Sequence, residues 1–389
     1  MSLFDQPPRP GDGRLHVIDL ARGLAAFAVL FYHYQFFFYT EPVIRTLTPA
    51  ESQSEPFYPW LSLLYDHGNF AVQFFWLLSG FVFAAVYVSR HTRPREFIVG
   101  RVARLYPLHL LTLCVVAVLQ AISIRMTGQF QIYPKNDAYH FVLNLFFASF
   151  WGLQKGPSFN APIWSVSVEI LVYGLFWVTL PYLYRRGVLG PVALAAVAWV
   201  AAFLIPGHLP LLRECAFYFF TGAAAFLLFR HWRSAPTRLF ASAALLGIAG
   251  TVVLVAVPTN FAMLALGVPS VLTGVLLACC GIEATPLGKH AERTEWIGDA
   301  TYGTYLWHIP IIIVILLVFS RVPGANSMRT EPWFLVSFLA AVMIVARISF
   351  VWFEHPIRER LNKYRRPRKS RAFSGEPSSP PPHLAPRSD

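Results

Sequence analysis

Apolar residues run through this chain in long unbroken blocks rather than in the one-sided stripe of a surface helix. A membrane-spanning helix needs about twenty largely apolar residues. Ten stretches qualify: 16–38, 68–88, 102–124, 163–183, 188–206, 211–229, 237–257, 261–281, 296–319 and 332–353. A shorter run, 139–153, contains His140 and Asn144 and falls below spanning length, so it reads as an interfacial or re-entrant piece within a longer outer loop. An eleventh span there would invert everything downstream. The pattern predicts an all-α integral membrane protein, a bundle of about ten transmembrane helices with one segment that does not cross.

Charge orients the bundle. With the N-terminus in the cytoplasm, 23 Lys and Arg fall in inner segments, seven in outer segments, and two, Arg22 and Arg347, within spans. That asymmetry is the positive-inside pattern and places both termini in the cytoplasm. The first apolar run is too long for a signal-peptide core and has no small-residue cleavage site, so it is expected to be retained as the first span.

Composition agrees. Of 389 residues 56% are hydrophobic and only 13% charged, against about 25% charged in soluble domains. The net charge of +12 is not a nucleic-acid footprint, because half of it sits in residues 358–389 with no basic recognition module. Basic residues after an apolar segment mark the cytoplasmic side and anionic lipid. Cys114, Cys215, Cys279 and Cys280 all lie in apolar stretches without a CxxC, as buried small hydrophobes do, and no metal-ligand spacing appears. The expected organisation is a cytoplasmic segment 1–15, a membrane domain 16–357, and a basic tail 358–389 whose Pro- and Ser-rich composition suits disorder. The chain is expected in the cell (inner or plasma) membrane, multi-pass, with no internal repeat visible.

Ionisable residues inside a bilayer are costly and point to function. In the first span Arg22 and His33 stand eleven residues apart, which returns them to one helix face about 16 Å apart along the axis. Asp19, three residues before Arg22, is the nearer salt-bridge partner. A cation near the inner entrance suits an anionic donor, and an imidazole deeper in suits proton transfer; a snorkelling arginine and a packing histidine are the bland alternative. Arg101 and Arg104, a turn apart at an inner helix entrance, suit either a phosphate clamp or positive-inside anchoring. Gln73, Ser79 and Gly80 on the second span fit helix packing. Glu169, about two turns into the fourth span and followed by Tyr173, is a carboxylate that needs a partner or a proton. His308 lies near mid-membrane on the ninth span, two residues before Pro310, as either a ligand-binding or a packing histidine.

Taken in order, these segments resemble a known family. The D-x-x-R-G-L-A-A start with a histidine eleven residues after the arginine is followed by F-F-W-L-L-S-G-F, R-V-A-R-L-Y-P, W-S-V-S-V-E, Y-L-W-H-I-P and the closing F-E-H-P-I-R. They resemble acyltransferase family 3 membrane proteins over roughly residues 16–360. The family often has Asp where this chain has Gln73; some relatives carry a C-terminal esterase-like domain that is not expected here, so the resemblance implies a stand-alone transferase or one that works with a separate partner.

The resemblance implies an O-acyltransferase that moves an acetyl or other short acyl group from acyl-CoA to a hydroxyl of a carbohydrate or glycolipid acceptor. By it, Arg22 and His33 match the family's arginine–histidine pair, and Arg101 and Arg104 match its paired arginines. Glu169 and His308 fall at other recurrent polar positions. The expected mechanism binds the donor phosphates near Arg22, Arg101 and Arg104 and uses His33 as base or acyl carrier, with Glu169 or His308 orienting it. Partners are the bilayer, acyl-CoA (acetyl-CoA foremost) and the glycan acceptor, with no metal and no nucleic acid. The competing class is a transporter or flippase for a lipid-linked glycan, which also needs polar groups at mid-membrane.

Overall fold

The computed structural model describes residues 14–43, 45–88, 92–204, 210–256 and 266–363, and every regular element among them is helical. In chain order these are α1 (His16–His33), α2 (Pro49–Gln53), α3 (Tyr58–His67), α4 (Ala71–Tyr87), α5 (Pro94–Thr127), α6 (Ala138–Leu145) and α7 (Trp164–Arg186). There follow α8 (Leu189–Leu204), α9 (Pro210–Trp232), α10 (Pro236–Ala256), α11 (Val268–Glu283), α12 (Glu295–Phe319), α13 (Pro332–Ser349) and α14 (His355–Lys363). Eight helical segments are long and apolar enough to cross a membrane: His16–Phe38, Tyr58–Tyr87, Pro94–Thr127, Ala161–Leu183, Pro210–Trp232, Pro236–Ala256, Pro286–Phe319 and Pro332–Leu361. The two other expected spans, 188–206 and 261–281, overlap the shorter apolar helices α8 and α11, 16 residues each, and their residues 205–206 and 261–265 lie outside the described residues. The protein is an integral membrane helix bundle. Residues 1–13 and 364–389, which hold most of the expected terminal segments, lie outside the described residues.

The segments expected on the outer side are partly helical. The second span begins at Tyr58 rather than 68, because the apolar run Tyr58–His67 has Pro59 at its first turn and feeds through Gly68–Phe70 into α4. The shorter run 139–153 starts as α6, eight residues long, capped by Asp137, whose side chain accepts from His140 N at 2.8 Å. The two polar residues that interrupt its apolar pattern hold it in place. His140 receives the Lys155 amide on Nε2 at 3.1 Å, and Asn144 Nδ2 donates to Ser158 Oγ at 2.9 Å. Beneath them the fully buried His109 of α5 places Nε2 2.7 Å from the Asn144 carbonyl and stacks on Phe147 with ring centroids 4.2 Å apart.

In lipid, helices gain little from hiding apolar surface, so close approach and buried hydrogen bonds hold them together. The α4–α9 contact shows both. A Cβ at Gly80 would run into the Phe219 carbonyl, and one at Gly222 into the Leu77 carbonyl, so each helix offers a glycine to the other's backbone. Nearby, Gln73 Nε2 donates to Glu214 Oε1 at 3.0 Å. The carboxylate that resemblance expects on the second span therefore stands opposite it, on α9. Helix α1 is clasped in the same way. Gly298 of α12 faces Asp19, Gly23 faces Ile297, and Gly68 packs on the Ala28 carbonyl.

Candidate active site

The site grows from α1. One turn of helix brings Asp19 Oδ1 to 2.9 Å from the Arg22 guanidinium, the pairing expected from their spacing. Arg22 also donates to the Gly298 carbonyl at 2.7 Å. Arg14 completes a network by bridging Asp19 and Asp299, each at 2.6 Å. The Arg22 guanidinium is thus held by protein groups through one terminal nitrogen, while its buried Nε lacks a partner.

Arg22 lies on the wall of a cavity of about 460 Å³ that opens between α1, α4, α5, α7, α12 and α14. Arg104 of α5 and Glu169 of α7 line the same cavity. Arg104 has no hydrogen bond or ion pair to the described residues and faces the open space. Glu169 is 6% exposed and has one carboxylate oxygen without a partner. The hydroxyls of Ser79 and Tyr173 lie beside it.

Arg101 departs from expectation. Its guanidinium lies over the rings of Phe83 at 4.6 Å and Tyr87 at 5.6 Å and is not on the cavity wall. Three helical residues rotate a side chain by about 300°, so two arginines at that spacing diverge by about 60°. The aromatic face of α4 claims one of them as a cation–π partner.

The two histidines meet. His308 Nε2 lies 3.1 Å from His33 Nδ1, with ring centroids 4.9 Å apart and planes at 19°. His308 is fully buried, whereas His33 is half-buried and stacks on Phe36 at 5.0 Å. Neither ring lines the cavity. Tyr305, one turn before His308, stands between: it lines the cavity, and its ring centroid is 6.1 Å from that of His308. Its hydroxyl donates to the Pro162 carbonyl at 2.6 Å and lies 2.7 Å from Ser165 Oγ. Glu169 makes no hydrogen bond or ring contact with either histidine, and of the two expected neighbours of His33 it is His308 that touches it. Glu169 is about one turn beyond Ser165 along α7 and lines the cavity together with Tyr305.

Reasoning from residue types passed over Tyr305, Glu354 and Arg358, which also line the cavity. The signal for the last two was present in F-E-H-P-I-R, where an acid and a base follow the final apolar run. Among the described residues no group of three or more His, Cys, Asp or Glu is arranged to hold a metal ion.

A peptidoglycan O-acetyltransferase of Listeria monocytogenes, OatA, is 25% identical over 383 residues, covering 88% of this chain and 55% of that protein. A Bacillus subtilis protein named "Putative peptidoglycan O-acetyltransferase YrhL" is 30% identical over 91 residues, 23% of this chain and 13% of that one. The chain therefore spans about half the length of the first relative and a smaller share of the second. No solved structure matches it. The acyltransferase family 3 model, described as "Acyltransferase domain", matches residues 15–351, and this chain belongs to that family.

Proposed function

We propose that this protein transfers an acetyl or other short acyl group from acyl-CoA to a hydroxyl of a carbohydrate-type acceptor in the cell (inner or plasma) membrane. The observation that carries the reading is the His33–His308 pair seated just beyond a cavity whose wall presents Arg104 without a partner among the described residues. The basic end of the bundle faces the cytoplasm on the charge distribution, so the donor enters there and the acceptor from the opposite side. Donor phosphates lie against Arg104, and the pantetheine arm runs up the cavity past Glu169 toward Tyr305.

The contact between the two rings needs one donor and one acceptor, and the proposed mechanism takes His308 Nε2 as the acceptor. His33 Nδ1–H then donates to it, and the lone pair of His33 Nε2 is free to act as a base. The acceptor hydroxyl oxygen attacks the thioester carbonyl carbon while its proton passes to His33 Nε2. The carbon–sulfur bond breaks, and CoA leaves as a thiolate that takes the proton back. His308 spreads and orients the imidazolium charge, as a third group does in a triad. Glu169, with Ser79 and Tyr173, works on the donor side of Tyr305 rather than on the imidazole.

The names of the two relatives favour acetyl as the group and a cell-wall glycan as the acceptor. The full chain in nanodiscs, labelled acetyl-CoA and a cell-wall glycan preparation test this directly. Label transfer with matching CoA release, lost in His33→Ala, is the expected result. A well-folded wild type that releases no CoA with donors of several acyl lengths would instead favour a glycan carrier.

A further inference from the structure

We infer that Arg358, on the helix that follows the last span, forms a phosphate clamp together with Arg104, a role that Arg101 is not placed to fill. The inference rests on the reading of the cavity as a donor site and identifies the charged groups that would receive the donor.

The cavity holds four arginines, Arg14, Arg22, Arg104 and Arg358, and they divide sharply. Arg14 and Arg22 are tied to Asp19, with Asp299 and the Gly298 carbonyl as further partners. Arg104 and Arg358 line the same space, and neither has a hydrogen bond or ion pair among the described residues. Two guanidiniums facing one opening without protein acceptors form a site for an anion, and the fork geometry of arginine favours phosphate oxygens.

The backbone explains how Arg358 reaches this position. Between α13 and α14 the chain makes a π-helical turn, Phe350–Glu354, which inserts extra residues and rotates α14 relative to α13. Phe350 and Glu354 of that turn and Arg358 of α14 all line the cavity, and both the turn and α14 pack on α5, the helix carrying Arg104. Glu354 lines the cavity too, but its carboxylate lies 3.5 Å from Ser349 Oγ and pairs with neither guanidinium. It opposes an anion at this position, so removing its charge should have the opposite effect to removing that of Arg358. Both residues lie beyond the 15–351 stretch shared with the family model.

A phosphate at this position comes either from CoA or from an anionic lipid headgroup, since the helix follows directly on a membrane span. The full chain is placed in nanodiscs of phosphatidylcholine alone, and in discs containing phosphatidylglycerol. CoA binding is followed by calorimetry, and lipid effects by thermal melting. Arg360→Ala, on the exposed side of α14, is the charge-matched control.

In phosphatidylcholine discs Arg358→Ala is expected to weaken CoA binding by about tenfold or more, as the loss of a charged hydrogen bond does. Glu354→Gln should tighten it, and Arg360→Ala should leave it near wild type. If Arg358→Ala instead leaves CoA binding intact and abolishes a stabilisation by phosphatidylglycerol, the clamp stands and its phosphate is lipid. Equal behaviour of Arg358→Ala and Arg360→Ala toward both ligands overturns the clamp, as does a wild type that responds to neither. A wild type that binds CoA through Arg358 without transferring the acyl group would keep the clamp and reject the proposed reaction.

Discussion

The imidazoles of His33 and His308 stack with centroids 4.9 Å apart and join Nδ1 to Nε2 at 3.1 Å, although 275 residues separate them in the chain. Two rings that share one proton act as one unit. The proposed mechanism therefore expects His33→Ala to lower kcat by roughly 10²–10⁴-fold. His308→Ala should cost less, and the double variant should be little worse than His33→Ala alone. Losses that multiply in the double variant, measured by CoA release, would show that the two histidines work independently.

Tyr305 closes the cavity toward this pair, held by Pro162 and Ser165. Tyr305→Phe keeps the ring and removes two hydrogen-bonding contacts, so it should destabilise the protein by about 1 kcal/mol with acyl preference unchanged. Tyr305→Ala removes the wall and should raise the use of longer acyl donors relative to acetyl-CoA. A panel of acyl-CoA chain lengths reads this out, and an unaltered preference in Tyr305→Ala would remove Tyr305 from the path.

The reciprocal glycines of α4 and α9 make a stability prediction with an internal control. Gly80→Ala and Gly222→Ala place a methyl against backbone that cannot yield, so each should cost at least about 1–3 kcal/mol and lower the melting temperature in detergent. A methyl on Gly174, within α7, would meet nothing within 4 Å. Gly174→Ala should instead be neutral or stabilising by about 0.5–1 kcal/mol. Equal melting temperatures for the Gly80 and Gly174 variants would mean that α4 and α9 are not in such close contact.

Two carboxylates in the segment before α3 respond to pH in opposite directions. The bidentate bond from Arg45, at 2.7 and 2.8 Å, holds the Glu51 carboxylate well below its usual range, at about 2. Its folded value is depressed, so its stabilising contribution is complete above about pH 4.5 and fades as pH falls toward 2. Glu55 is 5% exposed, and burial, then the Asp66 charge, push its carboxyl up to about 8. Its cost grows as pH rises from about 4.5 to 8 and is constant above that. Glu55→Gln should therefore raise the melting temperature at pH 8 and leave it near wild type at pH 4.5, whereas Glu51→Gln should lower it at pH 7 and converge on wild type toward pH 2. Thermal melts across that pH range decide both.

What the sequence determined by itself is everything that depends on local geometry. Long apolar blocks specify spanning helices because lipid leaves backbone groups no partner outside the helix. The i,i+3 spacing pairs Asp19 with Arg22, and the run that holds His140 and Asn144 falls below spanning length. The ordered motifs placed the chain in its family, and the composition excluded a soluble enzyme. What only the tertiary structure decided is which neighbour each polar residue meets: His33 with His308 rather than Glu169, Gln73 with Glu214, Arg101 on Phe83, and Arg104 in the cavity beside Arg358. The physical reason is rotational. A helix apolar on every side carries little signal for the face it turns inward, and glycine contacts between backbones, with buried polar pairs, set that rotation only once the bundle has assembled.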